Sequence, residues 1–425
     1  MWMQLNKIKC LIIFALLGQI AIAQNTASKS KVNLEDIEVS FLTSYYQQDG
    51  ENSPVTGGTG TEFLTNIAPA LLVNVPIDSV HSISLYGGVD FYTSASSDNI
   101  DNPYLADHVS SASSSDVRGY ATLTYKNKNK RKGITKGIIA GFSAEYDVKS
   151  GSIGGLYNLN SKDNNRELGI KAVYYFDNWQ LIFPTELRGM SSTTLETNIR
   201  HSMNLSLTGS SVINKRLALS LTSDFVYQTG LLSTPFHRVY FAGQSLDPFA
   251  LTIAPSLANL EKLPSSRVKI PVGLRLNLFP SDYFIIRSYY RYYWDNWNVQ
   301  GHTAKLEIPI KLSESLRLNP FYRYHRQSKA QYFAPIFQHA NTEEFYTSDF
   351  DLSGFSSNQF GAGLDISPLF GIARYRSPLN RDKAGMLKNI ELRYAYYIRS
   401  PLDGGEDGKL NAGIFSLALN FTIPQ

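Results

Sequence analysis

Arginine and lysine recur at alternate positions in several segments of the C-terminal half, and they are the side chains best placed to act on a ligand. If these cations line a water-filled passage, they would attract anionic solutes, as basic linings do in anion pores. If they instead pair with carboxylates on neighbouring strands, they only satisfy a polar interior. The sequence leaves both interpretations open. The candidates are Arg267, Lys269, Arg275, Arg287, Arg291, Lys305, Glu307, Arg317, Arg323 and Arg393.

Histidine is the second kind of side chain that could do chemistry. His302, His325 and His339 lie within a short stretch of sequence that also holds carboxylates such as Glu343 and Asp349. Imidazole nitrogens and carboxylate oxygens suit a borderline divalent metal. The spacing matches no compact ligand motif, however, and alternation places His302 on the opposite face of its strand. The sequence therefore predicts no metal site and no cofactor.

Motifs of enzymatic catalysis are absent from the sequence. It has no Gly-x-Ser-x-Gly elbow, no His-Glu-x-x-His and no phosphate-binding glycine loop, because the glycine group at 57–60 is followed by a strand pattern rather than a helix. The single cysteine, Cys10, precedes the apolar N-terminal run. The sequence therefore predicts a protein that is not an enzyme.

Strict alternation of apolar and polar residues defines the elements that would position these side chains. In one segment Val268, Ile270 and Val272 share one face, while Arg267 and Lys269 share the other. A period of two indicates β-strands. The sequence predicts an all-β protein of about sixteen strands, and fourteen or eighteen also fit. The predicted strands are 36–48, 61–75, 80–94, 116–127, 135–149, 151–160, 166–178, 197–211, 216–228, 266–279, 283–296, 301–312, 315–327, 355–367, 388–400 and 410–423.

Strand and loop lengths decide between two all-β architectures. Strands of a sandwich or propeller have about 5–6 residues, whereas a tilted membrane-spanning strand needs about 9–11. The predicted strands are mostly long, and their connections alternate between short and long, with the longest at 229–265 and 328–354. This pattern predicts a transmembrane, up-and-down antiparallel β-barrel.

Composition agrees with a barrel wall that divides lipid from water. Only 18% of residues are charged, although the mean hydropathy is −0.19 and the chain holds 26 tyrosines. Aromatic residues gather where the odd-numbered strands meet the long connections. That placement predicts an aromatic girdle at one membrane interface.

The N-terminus carries a pattern for export. Basic residues precede an apolar run, and residues 21–23 have the small-x-small pattern of a cleavage site. Residues 1–23 are therefore predicted to be a cleaved signal peptide, and 24–425 a single barrel domain in contact with outer-membrane lipid. The last strand, 410–423, is the segment that barrel-insertion machinery would recognise. No long basic block is present, which argues against nucleic acid as a partner.

Several aromatic runs in the C-terminal half resemble those of an uncharacterised Gram-negative outer-membrane family, domain of unknown function 3570. The resemblance is most specific over about 265–370. It implies an outer-membrane β-barrel of unknown activity, and it carries over no catalytic residues. The runs are 289–297, 301–304, 320–324, 330–335 and 344–349.

Two functions fit such a barrel. The first is a channel or transport barrel for small solutes, with a partly cationic lumen. The alternative is a non-conducting scaffold that docks partner proteins of an envelope complex. Whether the loop at 229–265 folds into the lumen would help to distinguish them.

Overall fold

The computed structural model describes residues 35–94, 115–184, 197–244, 259–379 and 382–425. The predicted signal peptide at 1–23 lies outside the described residues. Among the described residues, no helix has the length and hydropathy needed to cross a membrane.

Within the described residues, sixteen long strands form one closed antiparallel barrel, as the sequence predicts. Each strand pairs with its neighbours in sequence, and β1 pairs with β16 from Ile37 opposite Ile423 to Gly50 opposite Leu410. The strands are β1 Ile37–Ser53, β2 Leu64–Ile67 and Ala70–Pro76, β3 His81–Ser94, β4 Ser115–Asn129, β5 Ile134–Ala144, β6 Val148–Asn160, β7 Arg166–Trp179, β8 Ile199–Asn214, β9 Leu217–Gly230, β10 Ser266–Leu278, β11 Ile286–Asp295, β12 Gln300–Glu307 and Ile310–Lys311, β13 Leu316–Gln327, β14 Phe355–Ile366, β15 Ala384–Pro401 and β16 Leu410–Ile423.

Proline explains why β2 and β12 are interrupted. Pro69 lies in the gap of β2, and Pro309 lies in the gap of β12. A proline has no backbone N–H to donate to the neighbouring strand, so regular pairing is lost at that point. Both strands resume within two residues, and the barrel stays closed.

The outer wall is apolar and exposed. Ile138, Phe142 and Ile153 are 62%, 59% and 63% exposed, and they belong to a set of large apolar side chains that runs along most of the strands. Not every aromatic residue near the long loops faces outward, because the hydroxyl of Tyr92 contacts Asp116 and Glu145 at the loop end of the barrel. Exposed apolar surface on this scale is suited to lipid rather than to water.

The two ends of the barrel differ. The termini share one end with short turns, while the other end, called the loop end below, carries the long connections. A short strand, Ala373–Arg376, pairs with the start of β15 and accounts for its beginning at Ala384 rather than near 388. At the loop end, the short strand Thr59–Thr61 pairs with the end of β1, and Arg238–Val239 pairs with Asn259–Leu260.

Candidate functional site

The long connections pack against one another at the loop end. We call the segments 53–62, 231–244, 259–265 and 328–354 the mouth cluster. The guanidinium of Arg238 donates a 2.7 Å hydrogen bond to the carbonyl of Val55, which joins the first two segments. The rings of Phe241 and Tyr346 meet edge to face at 4.8 Å, which joins the second segment to the last.

The mouth cluster has its own apolar core, formed with the short β11–β12 turn. Val299 of that turn packs with Ala330, Phe333 and Phe350, all of them buried. The rings of Phe333 and Phe350 lie 5.1 Å apart, edge to face. Burial of this kind stabilises an ordered arrangement, so the cluster is a folded part of the barrel rather than a set of independent loops.

The mouth cluster lies against the inner wall of the barrel. Asp351 accepts a 2.7 Å hydrogen bond from the Arg399 guanidinium of β15. A cavity of ≈ 220 Å³ is lined by cluster side chains and by wall side chains together. The described parts of the loop at 229–265 therefore fold inward. The cavity is lined by Arg200, Gln228, Leu232, Thr234, Glu261, Leu263, Arg267, Lys269, Trp297, Asp349, Asp351 and Leu352.

A contact across several strands identifies the inner face of β10–β15, the strands that carry the ten predicted lumen residues. The guanidinium of Arg393 on β15 lies 3.1 Å from the carboxylate of Glu307 on β12, although β13 and β14 lie between them. Side chains of strands that are not neighbours can meet only on the concave side of a barrel. Residues paired across strands share a face, and alternate residues of one strand do too. The register therefore places all ten predicted lumen residues on the face of Arg393 and Glu307.

Glu307 is the centre of a charged network. Its carboxylate lies 3.0 Å from Arg287, 2.9 Å from Lys305 and 3.1 Å from Arg393. The Glu307 side chain is only 8% exposed. One buried carboxylate thus holds three cations, and the network keeps a surplus of positive charge.

Other predicted residues form ordinary ion pairs on the same wall. The guanidinium of Arg267 forms an ion pair at 2.5 Å with the carboxylate of Asp295, whose side chain is fully buried. Arg317 of β13 forms an ion pair with Asp365, the residue opposite it on β14. We call the inner face of β10–β15 the basic wall. Cross-strand pairing, the alternative left open by the sequence, accounts for part of its charge.

Four of the predicted cations have no ion pair among the described residues. Arg275 and Arg291 are exposed to the interior and lie over the rings of Tyr289 and Tyr293, with guanidinium carbons 5.6 Å and 5.8 Å from the ring centres. The other two are Lys269 and Arg323. Arg275, Tyr289, Lys305 and Arg323 occupy one transverse row of the sheet.

Buried ionisable groups of the mouth cluster have shifted pKa values. Burial and the nearby Asp351 carboxylate raise the pKa of Asp349 to about 7, and the same two causes raise the pKa of Glu62 to about 7. Burial opposes the charge on His237, but the adjacent Glu261 carboxylate outweighs it and raises the His237 pKa. The cluster therefore gathers acidic groups that burial makes costly to ionise.

The three histidines that the sequence offers as candidate metal ligands, His302, His325 and His339, lie in different parts of the structure. His302 hydrogen-bonds the Tyr290 hydroxyl at 2.7 Å on the outer wall, whereas His325 contacts Thr303 at 2.9 Å on the inner wall. His339 lies in the mouth cluster, 2.6 Å from Glu343.

A different group comes together instead. The ligand atoms of His237, Glu261 and Asp349 all lie within 4.8 Å of one another. His237 and Asp349 come from loops far apart in the chain, and no local spacing in the sequence signals their meeting.

Closure, an apolar outer wall and a polar, charged interior are together the architecture of membrane-spanning β-barrel proteins. The model of the family "Protein of unknown function (DUF3570)" matches residues 10–415, so the chain belongs to that family. No curated protein matches the sequence.

Solved structures share the general shape at low identity. A bacterial polysaccharide outer membrane secretin is 9% identical with a TM-score of 0.44, over 93% of this chain and 100% of its own. OccD3 (OpdP) of Pseudomonas aeruginosa is 6% identical with a TM-score of 0.40, over 93% of each chain. The outer membrane protein opdK of the same organism is 7% identical with a TM-score of 0.39, over 91% of this chain and 100% of its own. These similarities are too weak to carry a functional argument.

Proposed function

We propose that this protein is an outer-membrane channel that passes small anionic solutes, with the basic wall of β10–β15 setting the charge preference. A closed barrel whose outer wall exposes large apolar side chains is stable only when that wall lies in lipid. The export pattern at 1–23 favours the outer membrane, and outward residues such as Tyr45, Phe91 and Tyr394 suit an aromatic girdle.

The observation that carries the proposal is the surplus of positive charge on the inner wall. Glu307 cannot neutralise the three cations that it binds, and Arg275, Arg291, Lys269 and Arg323 have no ion pair among the described residues. Fixed cations in a narrow aqueous passage raise the local concentration of anions and oppose the entry of cations.

The wall opposite the basic strands offers space for a solute. A cavity of ≈ 480 Å³ lies along the inner face of β4–β9, and the side chains that line it are mostly uncharged. Barrels of sixteen to eighteen strands are wide enough for an aqueous channel. The mouth cluster would then narrow the entrance without filling the whole interior. Lining side chains include Arg118, Tyr120, Thr122, Ser150, Ser152, Arg200, Ser202, Asn204 and Gln228.

Planar-bilayer recording of the purified, folded barrel tests the proposal. We expect ohmic current steps and a reversal potential under a KCl gradient that shows anion preference. The triple variant Arg275→Gln/Arg291→Gln/Arg323→Gln should lower the anion-to-cation permeability ratio several-fold. The matched control Lys130→Gln/Arg131→Gln/Lys132→Gln removes the same charge from an exposed turn between β4 and β5 and should leave the ratio unchanged. Folded barrel without current steps would refute the channel, and an unchanged ratio in the first variant would refute the role of the basic wall.

A non-conducting scaffold is the second candidate, and one surface feature favours it. Leu369 and Phe370, in the connection between β14 and β15, are 87% and 73% exposed at the end that carries the termini. Large apolar side chains this exposed can dock a partner protein of the envelope. Loss of a co-purifying partner from Leu369→Ser/Phe370→Ser, in a barrel that shows no conductance, would favour the scaffold.

A further inference from the structure

The mouth cluster contains a second candidate site, which is separate from the basic wall. His237 and Glu261 belong to the loop between β9 and β10, and Asp349 belongs to the loop between β13 and β14. Their ligand atoms lie within 4.8 Å of one another. Nδ1 of His237 is 3.7 Å from a carboxylate oxygen of Glu261, which is too long for a hydrogen bond.

The Nδ1 atom of His237 gives a second, independent indication of a ligand, because it lies at ion-pair distance from Glu261 but forms no hydrogen bond with it. This nitrogen is buried, and it has no hydrogen-bond partner among the residues that the structure describes. The side chains of His237 and Glu261 are 14% and 3% exposed. A buried polar atom without a partner is costly, and a metal ion bound between the imidazole and the carboxylates would satisfy it.

Neighbouring groups hold the two carboxylates in place. Glu261 accepts hydrogen bonds from the Thr347 hydroxyl at 2.5 Å and from the Thr234 amide at 2.7 Å. Asp349 accepts one from the Asp351 amide at 2.9 Å. Metal-binding carboxylates are oriented by hydrogen bonds of this kind.

The charge balance also fits a cation. Among the described residues, no lysine or arginine lies within ion-pair distance of Glu261 or Asp349. A bound metal requires a neutral imidazole and ionised carboxylates. In that state the group carries two negative charges, which a divalent ion would balance. Tetrahedral ligands at about 2.0–2.1 Å from zinc lie about 3.3 Å apart, so the side chains would need to move by only about 1 Å.

We propose that His237, Glu261 and Asp349 bind a divalent transition-metal ion, and that this ion joins the two longest loops in the barrel mouth. One imidazole nitrogen and two carboxylate oxygens suit Zn²⁺ and related borderline ions. The three residues leave one tetrahedral position open, which water would occupy.

Titration of the folded, chelator-stripped barrel with ZnCl₂, and with CoCl₂ as a spectroscopic probe, tests the proposal. We expect one equivalent of metal and cobalt absorption bands of a four-coordinate site. His237→Gln and Asp349→Asn should each weaken binding by at least about tenfold. His302→Gln is the matched control, because His302 lies on the outer wall, and it should bind metal as the wild type does.

Hydrogen exchange separates this site from adventitious binding. Zinc should slow amide exchange at 231–241 and 345–352 together in the wild-type barrel and in neither segment of His237→Gln. A folded wild-type barrel that takes up no zinc or cobalt overturns the proposal. Equal affinity in the wild type and in both site variants overturns it too.

Discussion

Replacing Glu307 by glutamine gives the sharpest test of how the basic wall is held together. The carboxylate of Glu307 is the shared partner of Arg287, Lys305 and Arg393, at 2.9–3.1 Å. Glutamine has almost the same shape but no charge. The variant Glu307→Gln therefore leaves three cations close together with nothing between them to balance their charge.

The expected loss of stability follows from how exposed the partners are. Breaking a buried ion pair costs about 3–5 kcal/mol, whereas exposed pairs are worth about 0.2–1 kcal/mol each. Glu307 is 8% exposed, but Arg287, Lys305 and Arg393 are 42%, 30% and 27% exposed, so water screens part of the repulsion. We expect the free energy of unfolding to fall by about 2–3 kcal/mol. Urea unfolding of the barrel in lipid vesicles measures this, and Glu307→Gln/Arg393→Gln should recover about 1 kcal/mol because one cation is removed.

Glu307→Gln should change the anion-to-cation permeability ratio in the opposite direction to the arginine substitutions, because it removes a negative charge instead of positive ones. A unit charge about 8 Å from a passing ion is worth about 0.5 kcal/mol in water, and screening at 0.1 M salt reduces this by about half. The change acts with opposite signs on anions and cations, so the permeability ratio of Glu307→Gln should rise about twofold. If Glu307→Gln were as stable as the wild type, or if its anion-to-cation permeability ratio fell, the charged network around Glu307 would be contradicted.

Three further predictions test other parts of the structure. Burial, and after it the Glu145 carboxylate, raise the pKa of Asp147 to about 6. The contribution of protonated Asp147 to folding stability is therefore full below about pH 4 and is lost as the pH rises through 6. In urea unfolding, Asp147→Asn should be more stable than the wild type at pH 8 by about 1–2 kcal/mol and no more stable at pH 4. Gly57 has φ +77°, and a Cβ there would lie 2.5 Å from the Tyr240 ring, so Gly57→Ala should loosen the mouth cluster and speed its proteolysis, and an unchanged cleavage rate would argue against the packing. The anion preference should shrink between 0.1 M and 1 M KCl, because the screening length falls from about 10 Å to about 3 Å; a preference independent of salt would point to a steric origin.

The sequence predicts the barrel well because its wall depends on local rules. Period-two alternation determines which residues share a face, and antiparallel pairing carries that face from strand to strand, so Arg275 and Arg323 can be assigned to one side without coordinates. The mouth cluster follows no such rule. The Thr347 hydroxyl donates a hydrogen bond to Glu261, 86 residues away in the chain. Such a contact depends on how two irregular loops pack, and no periodicity in the sequence encodes that packing.

The two proposed sites are connected through the charge of the entrance. Glu261, Asp349 and Asp351 line the same small cavity as Arg200 and other basic residues of the wall. Where these carboxylates are ionised, they repel an entering anion, so they oppose the anion preference that we propose for the basic wall further along the lumen. A divalent ion bound by two of them would cancel that repulsion and also hold the loops in place. Zinc should therefore increase the anion-to-cation permeability ratio of the wild-type channel and leave that of His237→Gln unchanged. Equal responses in the two proteins would show that the ion acts elsewhere, even if both proteins conduct.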